Sequence, residues 1–211
     1  MRWVGHFSGG LASWMACKRA RGIYGDDGVL LYADTRIEDQ DTYRYLPQAA
    51  KNVGVPLVVI ADGRTIWEVF KDQRFLGNSK VDPCSRILKR ELLDKWVTEN
   101  APSDVIHVFG FDWSEGHRLE RMRKRSAHPE LLVAPLLERP YLTKAQLMEA
   151  SRSEGIEPPA LYKLGFQHNN CGGGCVKAGQ ASFAHLLKVL PERYREWEEN
   201  EQRMRDFLGK D

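Results

Sequence analysis

No stretch of this sequence is apolar for long enough to cross a membrane. The longest apolar run, Val55 to Ala61, falls far short of the ~20 residues a spanning helix needs. No apolar core follows the first basic residue, Arg2, so nothing at the amino terminus reads as a signal peptide. The expectation is a soluble, cytoplasmic protein with no membrane partner. Charge bias is missing too: 31 Lys and Arg against 29 Asp and Glu leave +2, which says little about partners. Internal repeats, low-complexity tracts and a clean linker are absent, which excludes repeat arrays and tethered modules. Cysteine is scarce, with four in 211 residues. In a cytoplasmic chain, four cysteines argue for metal or catalytic use rather than a disulfide framework.

What is present is ordinary globular composition, 42% hydrophobic and 28% charged. The length suits one domain with an appendage, large enough to bury a core without staples. Near-continuous apolar runs recur at residues 3–5, 28–33, 56–60 and 105–109. Such runs fit strands buried on both faces. Helix-like patterns lie between them. One spans residues 11–21. Another spans about 41–53, ends at Gly54 and contains an awkward Pro47. A third, 85–97, puts Ile87, Leu88, Leu92, Leu93, Trp96 and Val97 on one face. Alternating strand and helix predicts an α/β fold: a Rossmann-like parallel sheet with helices on both faces, over residues 1–135. Beyond Pro135 strand signals stop. Residues 136–211 read as a helical region that folds back on the first part. Within it, Thr143 and Gln146 form a capping box, and Leu142 with Leu147 a hydrophobic staple. A charged helix over residues 191–208 carries the apolar stripe Tyr194, Trp197, Met204 and Phe207, expected to pack on the domain.

Ligands of open parallel sheets bind beyond the carboxyl ends of the strands. Three polar or glycine-bearing segments fall there: His6 to Ser13, Ala33-Asp34-Thr35, and Gly110-Phe111-Asp112. The first is the most distinctive. Two glycines, Gly9 and Gly10, sit between Ser8 and Ser13 where a strand turns into a helix. The helix start offers unpaired N–H groups and a positive dipole end, a seat for phosphate. The spacing is neither that of a Walker loop nor of the dinucleotide fingerprint.

Ser8-Gly9-Gly10-Leu11-Ala12-Ser13 resembles the SGGxxS signature of the PP-loop ATP pyrophosphatase superfamily, whose loop cradles the pyrophosphate of ATP. Leu11-Ala12 stand where many members carry lysine and aspartate, so the loop itself lacks a phosphate-binding lysine and a metal-binding aspartate. Ala33 to Tyr43 is similar to the DTGxxxxET-like segment of phosphoadenosine-phosphosulfate reductase relatives, with Asp34 and Thr35 matching and Asp41-Thr42 in place of Glu-Thr. Pro83-Cys84-Ser85-Arg86-Ile87-Leu88-Lys89 resembles that family's cysteine ahead of a basic helix. Gly110 to Arg118 resembles its glycine-led strand end with a following Glu and Arg. The resemblance implies a PP-loop type fold of the adenine nucleotide alpha hydrolase-like group, with ATP and Mg2+ bound. The cofactor residues would be Ser8, Gly9, Gly10, Ser13, Asp34, Thr35 and Gly110. Ser8, Asp34, Lys89 and Arg118 are the candidate catalytic residues. The family's Glu-Cys-Gly-Leu-His motif is absent from this sequence, which argues against a thioredoxin-dependent sulfonucleotide reductase.

Asn169-Asn170-Cys171-Gly172-Gly173-Gly174-Cys175 is the other unusual stretch. Its glycines let the backbone wrap closely and leave room for something bulky beside the thiolates. Cys84, Cys171 and Cys175 could meet if the helical region folds back, whereas Cys17, inside the first helix, reads as a buried structural residue. Three cysteines suit a 4Fe–4S cluster with one open iron, an arrangement that resembles sulfur-inserting members of the superfamily that thiolate transfer RNA. Zinc completed by His168 or His117 is the alternative, and free thiols in a tight turn are the third.

Three functions follow from these residues. The first is an ATP-dependent adenylating transferase acting on a nucleobase or similar acceptor for sulfur transfer. The second is a sulfonucleotide oxidoreductase. The third is a non-catalytic nucleotide-binding subunit of a DNA-modification or defence complex. Partners on these readings are a nucleotide, a nucleic-acid substrate, a sulfur- or electron-donor protein, and a second copy of the chain in a homodimer. The run at 117–125, with five Arg or Lys, reads first as a solvated helix face and second as a nucleic-acid patch.

Overall fold

The computed structural model describes residues 1–209. Its strands and helices alternate, beginning with β1 (Trp3–His6), α1 (Leu11–Tyr24), β2 (Gly28–Asp34), α2 (Gln40–Val53), β3 (Leu57–Ala61) and α3 (Ile66–Asp72). A single helical turn α4 (Pro83–Ser85), a π-helical turn over Arg86–Glu91, and α5 (Leu92–Asn100) follow. Then come β4 (Ile106–Phe109), α6 (Gly116–Arg123), β5 (Leu132–Val133), α7 (Lys144–Ser153), α8 (Ala160–Lys163), α9 (Gln180–Val189) and α10 (Pro191–Leu208).

The five strands form one sheet in the order β3-β2-β1-β4-β5. β1 pairs in parallel with both β2 and β4, and β4 in parallel with β5. This is the Rossmann-like α/β architecture, with its first strand central and the chain winding outward in both directions. The expected strands at 28–33, 56–60 and 105–109 are present. β5 was not foreseen, because two residues are too few to set up a period.

By internal packing the chain divides into two compact units that interleave along the sequence. One comprises Met1–Tyr32, Asp41–Val59 and Trp96–Pro159; the other Ala33–Gln40, Ile60–Lys95 and Ala160–Asp211. Sequence character changes near residue 135, so composition and packing partition the chain differently.

In the first unit, α1 lies close against the sheet because the residues between them are small. It buries Ala16, Cys17 and Ala20 beside Leu11 and Trp14. A Cβ on Gly5 of β1 would come within 2.4 Å of the Cys17 sulfur. Cys17 is thus the buried structural cysteine expected, and burial alone pushes its thiol pKa up. α2 runs through Pro47, whose ring lies on the exposed side of the helix. The Thr143 cap of α7 is present as read, with Thr143 Oγ1 accepting from Gln146 N at 3.3 Å.

The second unit has its own core. Ile66, Val69 and Phe70 of α3 pack with Cys84, Leu88 and Met204. Leu161, Phe166 and Leu186 form a second cluster with Phe183, Tyr194 and Trp197 against it. The α10 stripe therefore packs as expected through Trp197 and Met204. Phe207, 42% exposed, instead sits under the cations of Lys71 and Arg74.

Trp3 closes the amino-terminal end of the sheet. Its indole is fully buried and donates to the Gly25 carbonyl at 2.9 Å. A Cβ on Gly28 would meet that ring at 2.0 Å. Gly28→Ala should therefore cost about 1–3 kcal/mol by overpacking a rigid indole, read as a lower urea midpoint with unchanged slope.

Candidate functional site

The turn from β1 into α1 is shaped for an anion. Gly9 adopts φ +73°, a left-handed conformation that a side chain resists. Gly10 is the N-cap of α1, with no side-chain cap and no acidic residue in the first turn. The Ser13 hydroxyl donates to the Gly10 carbonyl at 2.9 Å and accepts from the Ser8 amide at 3.2 Å and the Ser8 hydroxyl at 3.1 Å. Ser13 is buried and Ser8 exposed, so the buried serine fixes the loop while the other faces solvent. The end of β4 joins this turn directly: a Cβ on Gly110 would lie 2.6 Å from the Ser13 backbone. Gly110 is needed for close approach.

Beyond Gly110, Arg118 is held by two neighbours. It pairs with Glu115 and stacks 4.4 Å from the Phe111 ring centroid. On the neighbouring strand face, His6 Nε2 lies 3.0 Å from His107 Nδ1, with the His6 ring stacked on Phe109 at 4.5 Å. Burial and the adjacent His107 push the His6 pKa down to about 3, so this ring is neutral at physiological pH. No sequence motif marked the histidine pair.

The second unit gathers a different group around Glu38. Its side chain is 2% exposed and accepts three hydrogen bonds: from Thr35 Oγ1 at 2.9 Å, Lys89 Nζ at 3.0 Å and the Cys171 amide at 2.5 Å. Lys89 reaches it from the π-helical turn, a distortion frequent at functional sites because it re-aims side chains. Thr35, expected near a nucleotide, spends its hydroxyl on Glu38. Asp34 accepts the Arg36 amide at 2.8 Å in a tight turn.

The glycines of the Cys171–Cys175 loop serve packing. Gly172 has φ +56° and lies against the Ile37 carbonyl and Arg193. A Cβ on Gly173 would meet Phe166 at 2.7 Å, and one on Gly174 would meet the Trp197 indole at 2.3 Å. The room foreseen beside the glycines is thus taken by protein side chains. Arg193 pins the loop further, donating to the Gly172 carbonyl and to Asp39, both at 2.8 Å. Lys177 pairs with Asp82 at 3.2 Å, and Val176 packs on the cluster that holds Cys84. Cys84 and the loop are in this way brought together. Cys171 itself has φ 49°, a strained conformation for a residue with a Cβ.

The thiols are unequal. The Cys171 thiol hydrogen-bonds to Cys175. That bond, opposed by burial and helped by the Lys177 amide and Lys89, brings the Cys175 pKa down to about 6. Cys171, the donor, is pushed well up by the same bond, by burial and by Glu38. Burial raises Cys84. For Lys89, burial works against the ammonium, yet Glu38 and the two loop thiols outweigh it and hold its pKa above the ordinary value. The shared proton and the Lys89 ammonium thus favour the thiolate form at Cys175 over Cys171.

Of the candidate residues, Ser8, Gly9, Gly10, Ser13, Gly110 and Arg118 belong to the first unit. Asp34, Thr35, Lys89, Cys84, Cys171 and Cys175 belong to the second. Among the described residues, no three Cys, His, Asp or Glu side chains converge so that they could hold one metal ion. A single zinc therefore has no converging donor group there. Glu38, Asp39 and Arg193 were not singled out from sequence. Glu38 and Asp39 lie in an acidic stretch with nothing to distinguish them, and Arg193 lies in a helix full of charges.

No family model matches the chain. Among curated proteins, the uncharacterized protein MJ0066 of Methanocaldococcus jannaschii is 22% identical over 210 residues, covering 97% of this chain. The chain spans 42% of that relative's length. Among solved structures, the NH3-dependent NAD synthetase from Campylobacter jejuni, in complex with nitrate, is similar with a TM-score of 0.47 at 13% identity. That similarity covers 100% of this chain and 87% of the other.

The paired thiols make a testable statement. In metal-free protein, alkylation of Cys175 by iodoacetamide should follow an ionisation near pH 6 and slow as pH falls below it, since only the thiolate attacks. Cys171→Ala removes the donor and should move that inflection upward, as read by mass spectrometry of the modified peptide.

Proposed function

We propose that the chain is an ATP-using PP-loop enzyme of the phosphoadenosine-phosphosulfate reductase-like group that adenylates an acceptor, a nucleobase or similar, for sulfur transfer. The observation that carries this reading is the Ser8–Ser13 turn. It combines a left-handed glycine, an uncapped helix start and two hydroxyls in hydrogen-bond contact, on a sequence that resembles the SGGxxS signature. ATP would place its pyrophosphate there with Mg2+, the exposed Ser8 hydroxyl turning its one proton from Ser13 to a phosphate oxygen while Ser13 still accepts the Ser8 amide, and the α1 amides meeting its charge. The acceptor's carbonyl oxygen attacks the α-phosphorus. The bond from that phosphorus to the bridging oxygen breaks, and pyrophosphate leaves with the electron pair. Backbone donors already in place stabilise the charge that develops on it. A sulfur nucleophile then displaces AMP from the activated carbon.

The three cysteines fit the second half of this chemistry. Cys84, Cys171 and Cys175 offer three sulfur ligands, of which Cys84 and Cys171 would give up their protons on binding iron, and a 4Fe–4S cluster uses one thiolate per iron, so its ligands need no common focus. When bound there, the cluster would supply reduced sulfur. Lys89 offsets negative charge on the thiolates, and Glu38 fixes the Lys89 ammonium and the Cys171 amide.

The test is binding of Mg-ATP by calorimetry. Pyrophosphate should compete with ATP, and Ser8→Ala should weaken ATP about tenfold, the size of a lost hydrogen bond to a charged group. ATP binding that ignores both pyrophosphate and Ser8→Ala would contradict the proposal.

A further inference from the structure

Two large aromatic side chains stand in water on the first unit. Trp113 is 55% exposed and Tyr141 50% exposed, with ring centroids 6.4 Å apart. The Arg139 guanidinium lies 5.9 Å from the Tyr141 centroid. Both rings are carried on fixed backbone. Trp113 opens the short 3-10 turn Trp113–Glu115, where Asp112 accepts from the Ser114 amide at 2.8 Å and Glu115 accepts from the Asp112 amide at 3.2 Å. Tyr141 follows a segment clamped by Arg19, which donates to the carbonyls of Pro135 at 3.0 Å, Glu138 at 3.1 Å and Pro140 at 2.6 Å. Rigid exposed rings lose little entropy when something stacks on them.

The helix that continues from Trp113 supplies charge. In α6, Arg118 is already paired with Glu115, and Arg123 with Glu120 and the Leu132 carbonyl. Arg121, Lys124 and Arg125 lie at i, i+3 and i+4, on one face continued past the helix end, and none has a carboxylate partner among the described residues. At helical rise they begin about 12 Å beyond Trp113. The surface presents exposed aromatic rings and unpaired basic side chains, which suits stacked bases and phosphates.

We propose that Trp113 and Tyr141, with Arg121, Lys124 and Arg125, form a binding surface for single-stranded nucleic acid. Bases stack on the two rings and the backbone runs along α6. This deepens the proposed acceptor class, and it rests on the adenylation reading only in taking the strand as substrate; the surface itself needs no ATP.

The test is fluorescence anisotropy of a labelled single-stranded oligonucleotide of about 20 nucleotides, as RNA and as DNA, without ATP and at low salt. Trp113→Ala and Tyr141→Ala should each weaken binding about fivefold or more, with the salt dependence unchanged. The combined Arg121→Ala, Lys124→Ala, Arg125→Ala variant should flatten the slope of log affinity against log salt by about 2–3. Four outcomes would overturn the proposal: no binding at low salt, wild-type binding by both ring variants, equal affinity for a duplex of the same sequence, or anionic vesicles bound with the same dependence on Trp113. Because ATP is absent, failure here leaves the calorimetric result standing, and failure of ATP binding leaves this surface standing.

Discussion

The buried carboxylate of Glu38 organises the second unit. It receives the Thr35 hydroxyl, the Lys89 ammonium and the Cys171 amide. Those donors come from the end of β2, a π-helical turn and the cysteine loop, so three segments far apart in sequence meet on one side chain. Removing the carboxylate would leave a half-buried ammonium and an amide without their acceptor. Breaking a buried pair of this kind costs about 3–5 kcal/mol, less where, as here, the cation retains solvent exposure.

That arrangement explains the chemistry of the thiols. Close wrapping of Gly172, Gly173 and Gly174 against Arg193, Phe166 and Trp197 brings Cys171 and Cys175 within hydrogen-bonding reach of each other. A shared proton and the nearby ammonium then favour one thiolate. The strained backbone of Cys171 would be relieved by glycine, the residue that fills the next three positions.

Much of this was legible in the sequence where a local rule sets the structure. Apolar runs gave β2, β3 and β4, and Thr143 with Gln146 gave the start of α7. Ser8 to Ser13 announced a strand-to-helix turn, which the structure makes with a left-handed Gly9. The π-helical turn was hidden because the apolar positions Ile87, Leu88, Leu92 and Leu93 look the same on either helix type. Glu38 and Arg193 were hidden because their roles depend on partners 51 and 133 residues away for Glu38, and 154 for Arg193. The same holds for His6 and His107, which meet only when β1 pairs with β4. The Cys-Gly-Gly-Gly-Cys spacing implied close wrapping with room for something bulky beside the thiolates, and the bulky groups that pack on its glycines are the rings of Phe166 and Trp197.

We propose that Cys84, Cys171 and Cys175, gathered in the second unit with the Cys171 amide fixed on Glu38, are the sulfur ligands of an iron–sulfur group. Iron and acid-labile sulfide analysis, with the visible spectrum of protein purified without oxygen, tests it most directly. The account predicts about four irons per chain with a broad visible absorbance, both lost in Cys171→Ser and Cys175→Ser while the folded far-ultraviolet signature is kept. A colourless wild-type protein lacking iron and sulfide after anaerobic purification and reconstitution with both would contradict it.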